Sequence, residues 1–237
     1  MKHKVCGIIL AGGAGKRMKT KQAKQFLEIA GKPIIMHTLE LFDENVSISD
    51  IVIVCRKTDI KHLRKLINAA KLKKIHKIVA GGKTRQASSF IGVQNAPCGT
   101  KFVLIHDAVR PFADKVIIEK VLSAAKKYNA AGPAIQTEDT FVLETKGFIH
   151  GIIDRKNIKR IQTPQAFKYT EILSAHKYAK VNGITSITDD CGLILQMGGE
   201  IKLTPGSSSN IKITTRKDLV FAEKYVFERN KNLKSEQ

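Results

Sequence analysis

Short apolar runs alternate with segments of helical periodicity along the first 136 residues of the chain. Five runs are short and branched enough to be buried strands, at residues 5–10, 51–55, 77–80, 102–106 and 133–136. Between them lie four amphipathic patterns, at residues 34–42, 58–70, 84–95 and 114–128. This alternation predicts an α/β fold, with a mostly parallel sheet and helices on both of its faces. Since ligands of such sheets bind beyond the carboxyl ends of the strands, we expect a site there.

Residues 138–162 interrupt this alternation. Two β-branched runs, at 140–143 and 148–153, flank Lys146 and Gly147, which predicts a hairpin with a glycine turn. Because a lone two-stranded hairpin is marginal in water, this arm should pack against the body of the domain or against a second subunit.

The pattern after the arm predicts a helix from Tyr169, strands at 200–204 and 210–214, and a last helix from 215 to about 229. No linker or internal repeat divides the chain, so we expect a single domain over residues 1–237. The charged tail at 230–237 is expected to fray.

The composition is basic, with 41 Lys and Arg against 21 Asp and Glu and a net charge of +20. Such a charge fits a nucleic-acid surface, because clustered cations release counterions from phosphates. The lysines are instead dispersed over amphipathic helices and the tail, and Trp is absent. A solvated basic surface that steers small anionic substrates is therefore favoured, and a nucleic-acid-binding protein remains the alternative from another class.

The four cysteines are widely separated and form no C-x-x-C pair, which disfavours a zinc ribbon or a disulfide framework. The apolar run near the N-terminus has six residues and is too short for a signal peptide or a membrane span. We therefore expect a cytoplasmic protein without a membrane segment.

A glycine-rich loop follows the first predicted strand and carries the strongest chemical signal. Glycines 12, 13 and 15, together with Ala11 and Ala14, let the backbone approach a ligand closely and turn its N–H groups toward anionic oxygens. Three cations follow, namely Lys16, Arg17 and Lys24. A Walker A loop is excluded by Leu10 and Arg17, and the dinucleotide fingerprint by Met18. The loop predicts the binding of a nucleoside triphosphate.

Two more motifs follow predicted strands. Asp107, at the end of one of them, is our candidate ligand for Mg²⁺, with helix capping or pairing to Arg110 as the structural alternatives. His106 is expected to be a core residue. Residues 81–88 combine a glycine turn with a helix start, where Ser88 could contact a base or ribose and Thr84 could be an ordinary cap.

Toward the C-terminus, Thr188 or Asp189 is expected to cap a helix. Lys212 lies within an alternating run, and a lysine that points inward from such a run usually has an anionic partner.

Taken together, the motifs occur in the order found in sugar-phosphate cytidylyltransferases. They are residues 10–18 with 24–25, 81–82 with 85 and 88, 106–111, 139–140, 154–155, 163–165, 188–189 and 210–214. The chain resembles the 2-C-methyl-D-erythritol 4-phosphate cytidylyltransferase family from about residue 5 to 225. The resemblance implies a Rossmann-like nucleotidyltransferase, a three-layer sandwich with a projecting β-hairpin arm. It also implies the joining of CTP to a polyol phosphate with Mg²⁺ or another divalent cation. Ribitol 5-phosphate cytidylyltransferases are similar too and remain the alternative.

The resemblance further implies roles for individual residues. The triphosphate would be held by Ala11, Gly12, Gly13, Ala14 and Gly15, with Arg17, Lys24 and Lys212 as the catalytic cations. The base and ribose would be bound by Gly82, Arg85 and Ser88, and the metal by Asp107. The sugar phosphate would be positioned by Asp107, Ala108, Arg110, Thr140 and Thr188 and, from the second subunit of a homodimer, by Arg155 and Thr163. The arm at 138–162 would reach across to the partner.

Overall fold

The computed structural model describes residues 4–13, 22–185 and 187–235. Its main feature is an eight-stranded sheet flanked by helices. The strands are β1 Val5–Ala11, β2 Glu28–Ile29, β3 Lys32–Pro33, β4 Asp50–Cys55, β5 Ile75–Ala80, β6 Phe102–Asp107, β7 Ala130–Gln136, β8 Phe141–Thr145, β9 Phe148–Ile153, β10 Lys159–Ile161, β11 Gln165–Lys168 and β12 Lys202–Pro205. The helices are α1 Ile34–Glu44, α2 Ile60–Ala69, α3 Arg85–Gln94, α4 Lys115–Tyr128, α5 Tyr169–Val181, α6 Asp190–Gln196 and α7 Arg216–Ser235.

Four parallel strands form the first half of the sheet, in the order β5, β4, β1, β6. The side chains of the inner strands β4, β1 and β6 are largely apolar on both faces because helices cover both faces, as expected of a buried parallel sheet, whereas the edge strand β5 exposes His76 and Lys77. Every residue of β1 except Leu10 is buried, and β6 is buried throughout. The predicted α/β fold with a mostly parallel sheet is confirmed.

The second half of the sheet mixes directions. The short strand β11 runs antiparallel between β6 and β7. Strand β10 pairs with β7 in antiparallel fashion and β12 pairs with β7 in parallel. Ala131 pairs with both β11 and β12, and Ala134 with both β10 and β12, so β12 lies on the outer edge of β7. The sequence pattern missed β10 and β11, which are too short to show a period of their own.

The helices form one layer on each face of the sheet. Buried side chains of α1, α2 and α4 pack with one face, and those of α3, α5 and α6 with the other. Helix α7 packs beside the small β2–β3 hairpin, where Ile213 and Ala222 join a third cluster with Ile29 and Phe112. None of the helices among the described residues is long and apolar enough to cross a membrane.

The helix boundaries follow from capping. Thr84 and Asp114 precede α3 and α4 in extended backbone, and each side chain accepts a hydrogen bond from the backbone N–H three residues on, at 3.0 and 2.7 Å. Helix α4 ends at Asn129, whose φ of 66° lies in the left-handed region that Asn tolerates. The predicted cap at Thr84 is therefore confirmed.

The arm projects from this body as a two-stranded sheet of β8 and β9. Its turn is Lys146–Gly147, with φ of 53° and 85°, as the glycine turn predicted. All five side chains of β8 are exposed, and so are Phe148, Ile149 and Ile152 of β9. Within the described part of the chain, the arm therefore does not bury its apolar face against the body of the domain.

Two C-terminal predictions need correction. Residues 210–214 form no strand in the structure, because their hydrogen bonds go to separate partners and not to one neighbouring strand. Among them, the Ile213 N–H donates to the Val109 carbonyl and Asn210 Nδ2 donates to the Thr163 carbonyl, both at 2.9 Å. The last helix continues to Ser235 rather than ending near residue 229.

Candidate active site

Three loops meet at the carboxyl edge of the sheet because the strand registers align them. Leu10 of β1 pairs with Asp107 of β6, while Ala11 pairs with Cys55 and Cys55 with Ala80. The loops after β1, β5 and β6 therefore start at the same height. They enclose a cavity of about 400 Å³, lined by Leu10, Ala11, Gly12, Gly13, Lys24, Gln25, Gly82, Lys83, Thr84, Arg85, Ser88, Asp107, Val109 and Lys212. The predicted convergence of the three motifs is confirmed.

The glycine loop forms one wall of this cavity. Gln25 is buried and donates a hydrogen bond from Nε2 to the Ala11 carbonyl at 2.9 Å, which fixes the start of the loop. A Cβ atom on Gly13 would lie 3.5 Å from Cε of Lys24, so the lysine stem runs along the glycine backbone. Three further members of the predicted phosphate site, Ala14, Gly15 and Arg17, lie outside the described residues.

The turn before α3 forms the opposite wall. The Gly82 N–H donates to Ser88 Oγ at 3.1 Å, and that hydroxyl donates to the Thr84 carbonyl at 2.9 Å. A Cβ atom on Gly82 would meet Cβ of Ala87 at 2.6 Å, so only glycine fits. Ser88 thus lines the cavity and also closes its own turn, and the helix-capping and ligand-binding interpretations of this motif are compatible.

Asp107 lies among three cations. Its Oδ2 is 2.8 Å from Lys212 Nζ and 3.8 Å from Arg110 Nε, and its Oδ1 is 3.6 Å from Arg85 Nε. Burial alone would raise the pKa of this carboxyl, but Lys212, Arg85 and Arg110 outweigh it and hold the pKa well below its ordinary value. Asp107 is therefore ionised, and the inward Lys212 has the anionic partner that its position predicted.

His106 orders the loop beneath Asp107. Burial lowers its pKa to about 4, so the ring is neutral. Nε2 lies 3.0 Å from the Arg110 carbonyl and therefore carries the proton, which leaves Nδ1 to accept from Thr163 Oγ1 at 2.9 Å. Thr163 Oγ1 in turn accepts from the Asp107 N–H at 3.2 Å. The predicted core role of His106 is confirmed.

A second, smaller cavity of about 180 Å³ adjoins the first and shares Arg85, Asp107 and Lys212 with it. Its remaining lining residues are Arg110, Ile161, Gln162, Thr163, Gln165, Thr188 and Asp189. Asp189 caps α6 by accepting from the Gly192 N–H at 2.9 Å, so Asp189 rather than Thr188 is the cap. The two cavities provide adjacent spaces for two anions.

Two predicted contacts are corrected by their positions. Thr163 was expected to act from a second subunit, but its hydroxyl is buried beside His106 and Asp107 of its own chain. Ala108 is fully buried; its N–H donates to the Leu10 carbonyl at 3.0 Å and its own carbonyl accepts from Thr38 at 3.1 Å. Ala108 therefore fixes the loop and does not line either cavity.

Thr140 and Arg155 line neither cavity. Both are exposed, Thr140 just before β8 and Arg155 in the short helical turn after β9. Arg155 donates from Nη1 to the Glu138 carbonyl at 3.4 Å, which ties the two ends of the arm together. Each residue lies on the arm, as the sequence placed it, and away from Asp107.

Several side chains that build the site gave no clear signal in the sequence. Asp190 is fully buried and pairs with Arg85 at 2.7 Å. Asn210 is fully buried too: its carbonyl accepts from Arg110 Nη1 at 2.7 Å and its Nδ2 donates to the Thr163 carbonyl at 2.9 Å. A polar residue beside a motif gives no sign in the sequence of what it contacts across the fold, so periodicity could not identify these two.

A parallel sheet, a glycine loop after its first strand and a carboxylate set among lysine and arginine define a Rossmann-like nucleotidyltransferase. The particular family follows from comparison: a family model described as 2-C-methyl-D-erythritol 4-phosphate cytidylyltransferase matches residues 5–228, and the chain belongs to that family.

Relatives agree over most of the chain. A protein of that name from Clostridium acetobutylicum is 40% identical over 220 residues, covering 92% of this chain and 95% of the relative. One from Geobacillus kaustophilus is 38% identical, covering 91% and 94%. The solved structure of the 4-diphosphocytidyl-2C-methyl-D-erythritol synthase from Anaerococcus prevotii is similar to this fold with a TM-score of 0.84 at 29% identity, covering 95% and 99%.

Proposed function

We propose that this chain joins CTP to 2-C-methyl-D-erythritol 4-phosphate and releases pyrophosphate, giving 4-diphosphocytidyl-2-C-methyl-D-erythritol. The observation that carries the proposal is the pair of adjacent cavities that share Asp107, Arg85 and Lys212 at the carboxyl edge of the sheet. One cavity borders the glycine loop and suits the nucleotide, and the other borders Arg110 and Thr188 and suits the acceptor phosphate. Family membership supports both assignments.

The reaction is a displacement at the α-phosphorus of CTP. An oxygen of the acceptor phosphate forms the new bond to that phosphorus, and the bond to the β-phosphate oxygen breaks, with its electron pair leaving on pyrophosphate. The acceptor phosphate is already an anionic nucleophile, so no strong general base is required. Catalysis then consists of aligning two anions that repel each other and neutralising the charge that grows on the phosphoryl oxygens.

The cations of the site are arranged for this task. Lys212 lies in both cavities, where it would stabilise the pentacoordinate phosphorus. Lys24, whose stem follows Gly13, and Arg17 would compensate the charge on the α-phosphate and on the leaving pyrophosphate. Ser88 and Gly82 would border the base and ribose.

We further propose that Asp107 holds Mg²⁺. No group of three His, Cys, Asp or Glu that could hold a metal exists among residues 4–13, 22–185 and 187–235. One ionised carboxylate nevertheless fits Mg²⁺, which commonly takes one or two protein carboxylates and fills its shell with substrate phosphates and water. When bound at Asp107, the ion would supply positive charge that offsets the charge of the substrate phosphates.

We propose that a second copy of this chain covers the arm. Phe148, Ile149 and Ile152 are 67–74% exposed, and a lone hairpin with such a face is marginal in water. Arg155 and Thr140 lie at the base of this arm and would reach the acceptor of the partner's site in a homodimer.

The test is a pyrophosphate-release assay of the purified protein with CTP, Mg²⁺ and one acceptor at a time. We expect turnover with 2-C-methyl-D-erythritol 4-phosphate, far less with ribitol 5-phosphate, and none without an acceptor. Strong turnover with ribitol 5-phosphate alone would contradict the proposal. So would an inactive protein that binds duplex DNA tightly and in a salt-sensitive way.

A further inference from the structure

Arg85 occupies a special position, because its side chain lines both cavities. Its Nη1 donates to Asp190 Oδ2 at 2.7 Å, and its Nε lies 3.6 Å from Asp107 Oδ1, which is too long for a hydrogen bond. Its third nitrogen, Nη2, is buried and has no hydrogen-bond partner among the described residues. A buried guanidinium donor without a partner is costly, so Nη2 is a donor kept for a ligand.

Asp190 is the residue that fixes this guanidinium. It is fully buried at the start of α6 and accepts a short hydrogen bond from Ser89 of α3. His176 of α5 lies near the same oxygen, with Nε2 at 3.7 Å from Oδ1, which is too long for a hydrogen bond. Ser89 and Arg85, both on α3, thus hold the two oxygens of one buried carboxylate, and Arg85 is its charged partner. Burial disfavours the charged guanidinium, but Asp190 and Asp107 outweigh this and raise the pKa of Arg85.

Without the Asp190 charge, Arg85 has another carboxylate within reach. Asp107 is near enough for a small rotation of the guanidinium to form a direct pair with it. A direct pair would draw the guanidinium, and Nη2 with it, toward the carboxylate on which the cations of the site converge. Asp190 therefore competes with Asp107 for Arg85 and holds the guanidinium where Nη2 has no partner in the described part of the chain.

We propose that Asp190 is a positioning residue for nucleotide binding: by holding Arg85 Nη1, it aims Arg85 Nη2 at an oxygen of CTP. The proposal rests on the proposed function for the identity of the nucleotide. Asp190 itself lines neither cavity, so its effect must pass through Arg85.

The test is a double-mutant cycle on CTP affinity, measured by titration calorimetry of the full chain. Asp190→Asn keeps the shape of the side chain but removes its charge, and Arg85→Gln removes the fork. A charge-assisted hydrogen bond is worth about 1.5–3 kcal/mol, so each variant should raise the Kd for CTP roughly tenfold or more. The double variant should be no weaker than the weaker single one, because both remove the same interaction.

A matched control is Gln86→Ala, the neighbouring residue on α3, whose side chain donates to the Ile184 carbonyl and not to Asp190; it should raise the Kd less than about twofold. If Asp190→Asn does not fold, Arg85→Lys tests the same point, because the single ammonium of a lysine does not reproduce the planar fork in which one nitrogen holds Asp190 and another is left for the ligand. It should also weaken CTP binding.

Three results would overturn the inference: additive effects in the cycle, undiminished CTP affinity in Arg85→Lys, or a change confined to the KM of the acceptor. Wild-type protein that fails to bind CTP at all would instead overturn the proposed function.

Discussion

The cavity at the strand ends and the arm differ in what holds them. In the cavity, Asp107, Arg85 and Lys212 are placed by strand register and by buried partners such as Asp190 and Asn210. In the arm, β8 and β9 pair along their length with one register shift between Leu143 and Glu144, but nearly all side chains are exposed. The comparison indicates that one chain orders the residues of the cavity by itself, whereas the apolar side chains of the arm lack a covering surface among the described residues.

The buried partners also have an energetic role. Lys212 lies in a segment without regular secondary structure, and the neighbouring Ile213 N–H holds this segment by donating to the Val109 carbonyl. The same segment holds Arg110, whose Nη1 donates to the Asn210 carbonyl. An irregular segment can hold a catalytic lysine only when other bonds replace those of a strand ladder. Polar residues that line no cavity are therefore as necessary for the geometry of the site as the residues that line one.

The largest expected effect is on the nucleotide half. Lys212→Ala should lower kcat on the order of 10²-fold or more, because the lost charge faces the transition state. Stability should change far less, since Arg85 and Arg110 still flank Asp107. Steady-state kinetics and thermal unfolding measure the two effects. Lys65→Ala on the exposed side of α2 is the control and should be neutral; a normal kcat in Lys212→Ala would contradict the catalytic assignment.

Acid should lower the free energy of unfolding, because His176 beside Asp190 must then be protonated. Burial outweighs the nearby Asp190, which is already paired with Arg85, and lowers the pKa of His176 to about 4 from 6.5. The unfolded chain therefore binds more protons below pH 6.5, and stability falls as the pH drops toward 4, by about 1.4 kcal/mol per pH unit at most.

Urea unfolding at several pH values measures this slope. His176→Phe removes the titrating group and can still stack on Phe90, with which His176 packs at 5.1 Å between ring centroids. It should remove the His176 contribution to the slope between pH 6.5 and 4, while the contribution of His106, whose pKa is also lowered to about 4, stays. An unchanged slope in this variant would show that His176 is not the group responsible.

An intermediate effect is expected for the arm. Arg155→Ala should raise the KM for the acceptor roughly tenfold, as loss of one charge-assisted contact does, with CTP affinity unchanged. Lys156→Ala, from the same exposed turn, is the matched control. An effect on CTP affinity would place Arg155 in the nucleotide half instead.

Mixing Arg155→Ala with Lys212→Ala decides whether the arm acts across subunits. If it does, each mixed dimer contains one site with both residues intact. At acceptor concentrations well below KM, an equal mixture should then show about a quarter of the wild-type activity once subunits exchange. If Arg155 acts on the site of its own chain, every site keeps one defect, and mixing adds nothing to the roughly tenfold reduced activity of the Arg155→Ala subunits.

The smallest effect is expected at the tip of the arm. Lys146 has a φ of 53°, which Asn adopts more readily than Lys, and Asn-Gly is the preferred pair for such a turn. Lys146→Asn should stabilise the protein by a few tenths of a kcal/mol, by about the preference of Asn for this conformation, without changing kcat. Thermal unfolding measures it, and a lower Tm would show that Lys146 makes a contact worth more than the strain.

Much of the fold could be predicted because it depends on residues that are close together in the sequence. The apolar runs of β1, β4 and β6, the Thr84 cap and the glycine turn at 146–147 each depend on neighbouring residues. Predictions failed where the outcome depended on partners distant in the sequence. Residues 210–214 alternate like a strand, yet their hydrogen bonds go to separate partners such as Val109 and Thr163. Strand β11 is too short to show a pattern of its own, although β6 and β7 pair with it.

The same division holds for the site. The sequence by itself determined the glycine loop, the carboxylate at the end of β6 and the cations, because their chemistry lies in residue type and spacing. Only the tertiary structure decided that Thr163 lies beside Asp107 of its own chain, that Ala108 is buried and that Asp190 pairs with Arg85. The physical reason is that a buried carboxylate needs a partner, and the partner's identity depends on which helices the sheet brings together.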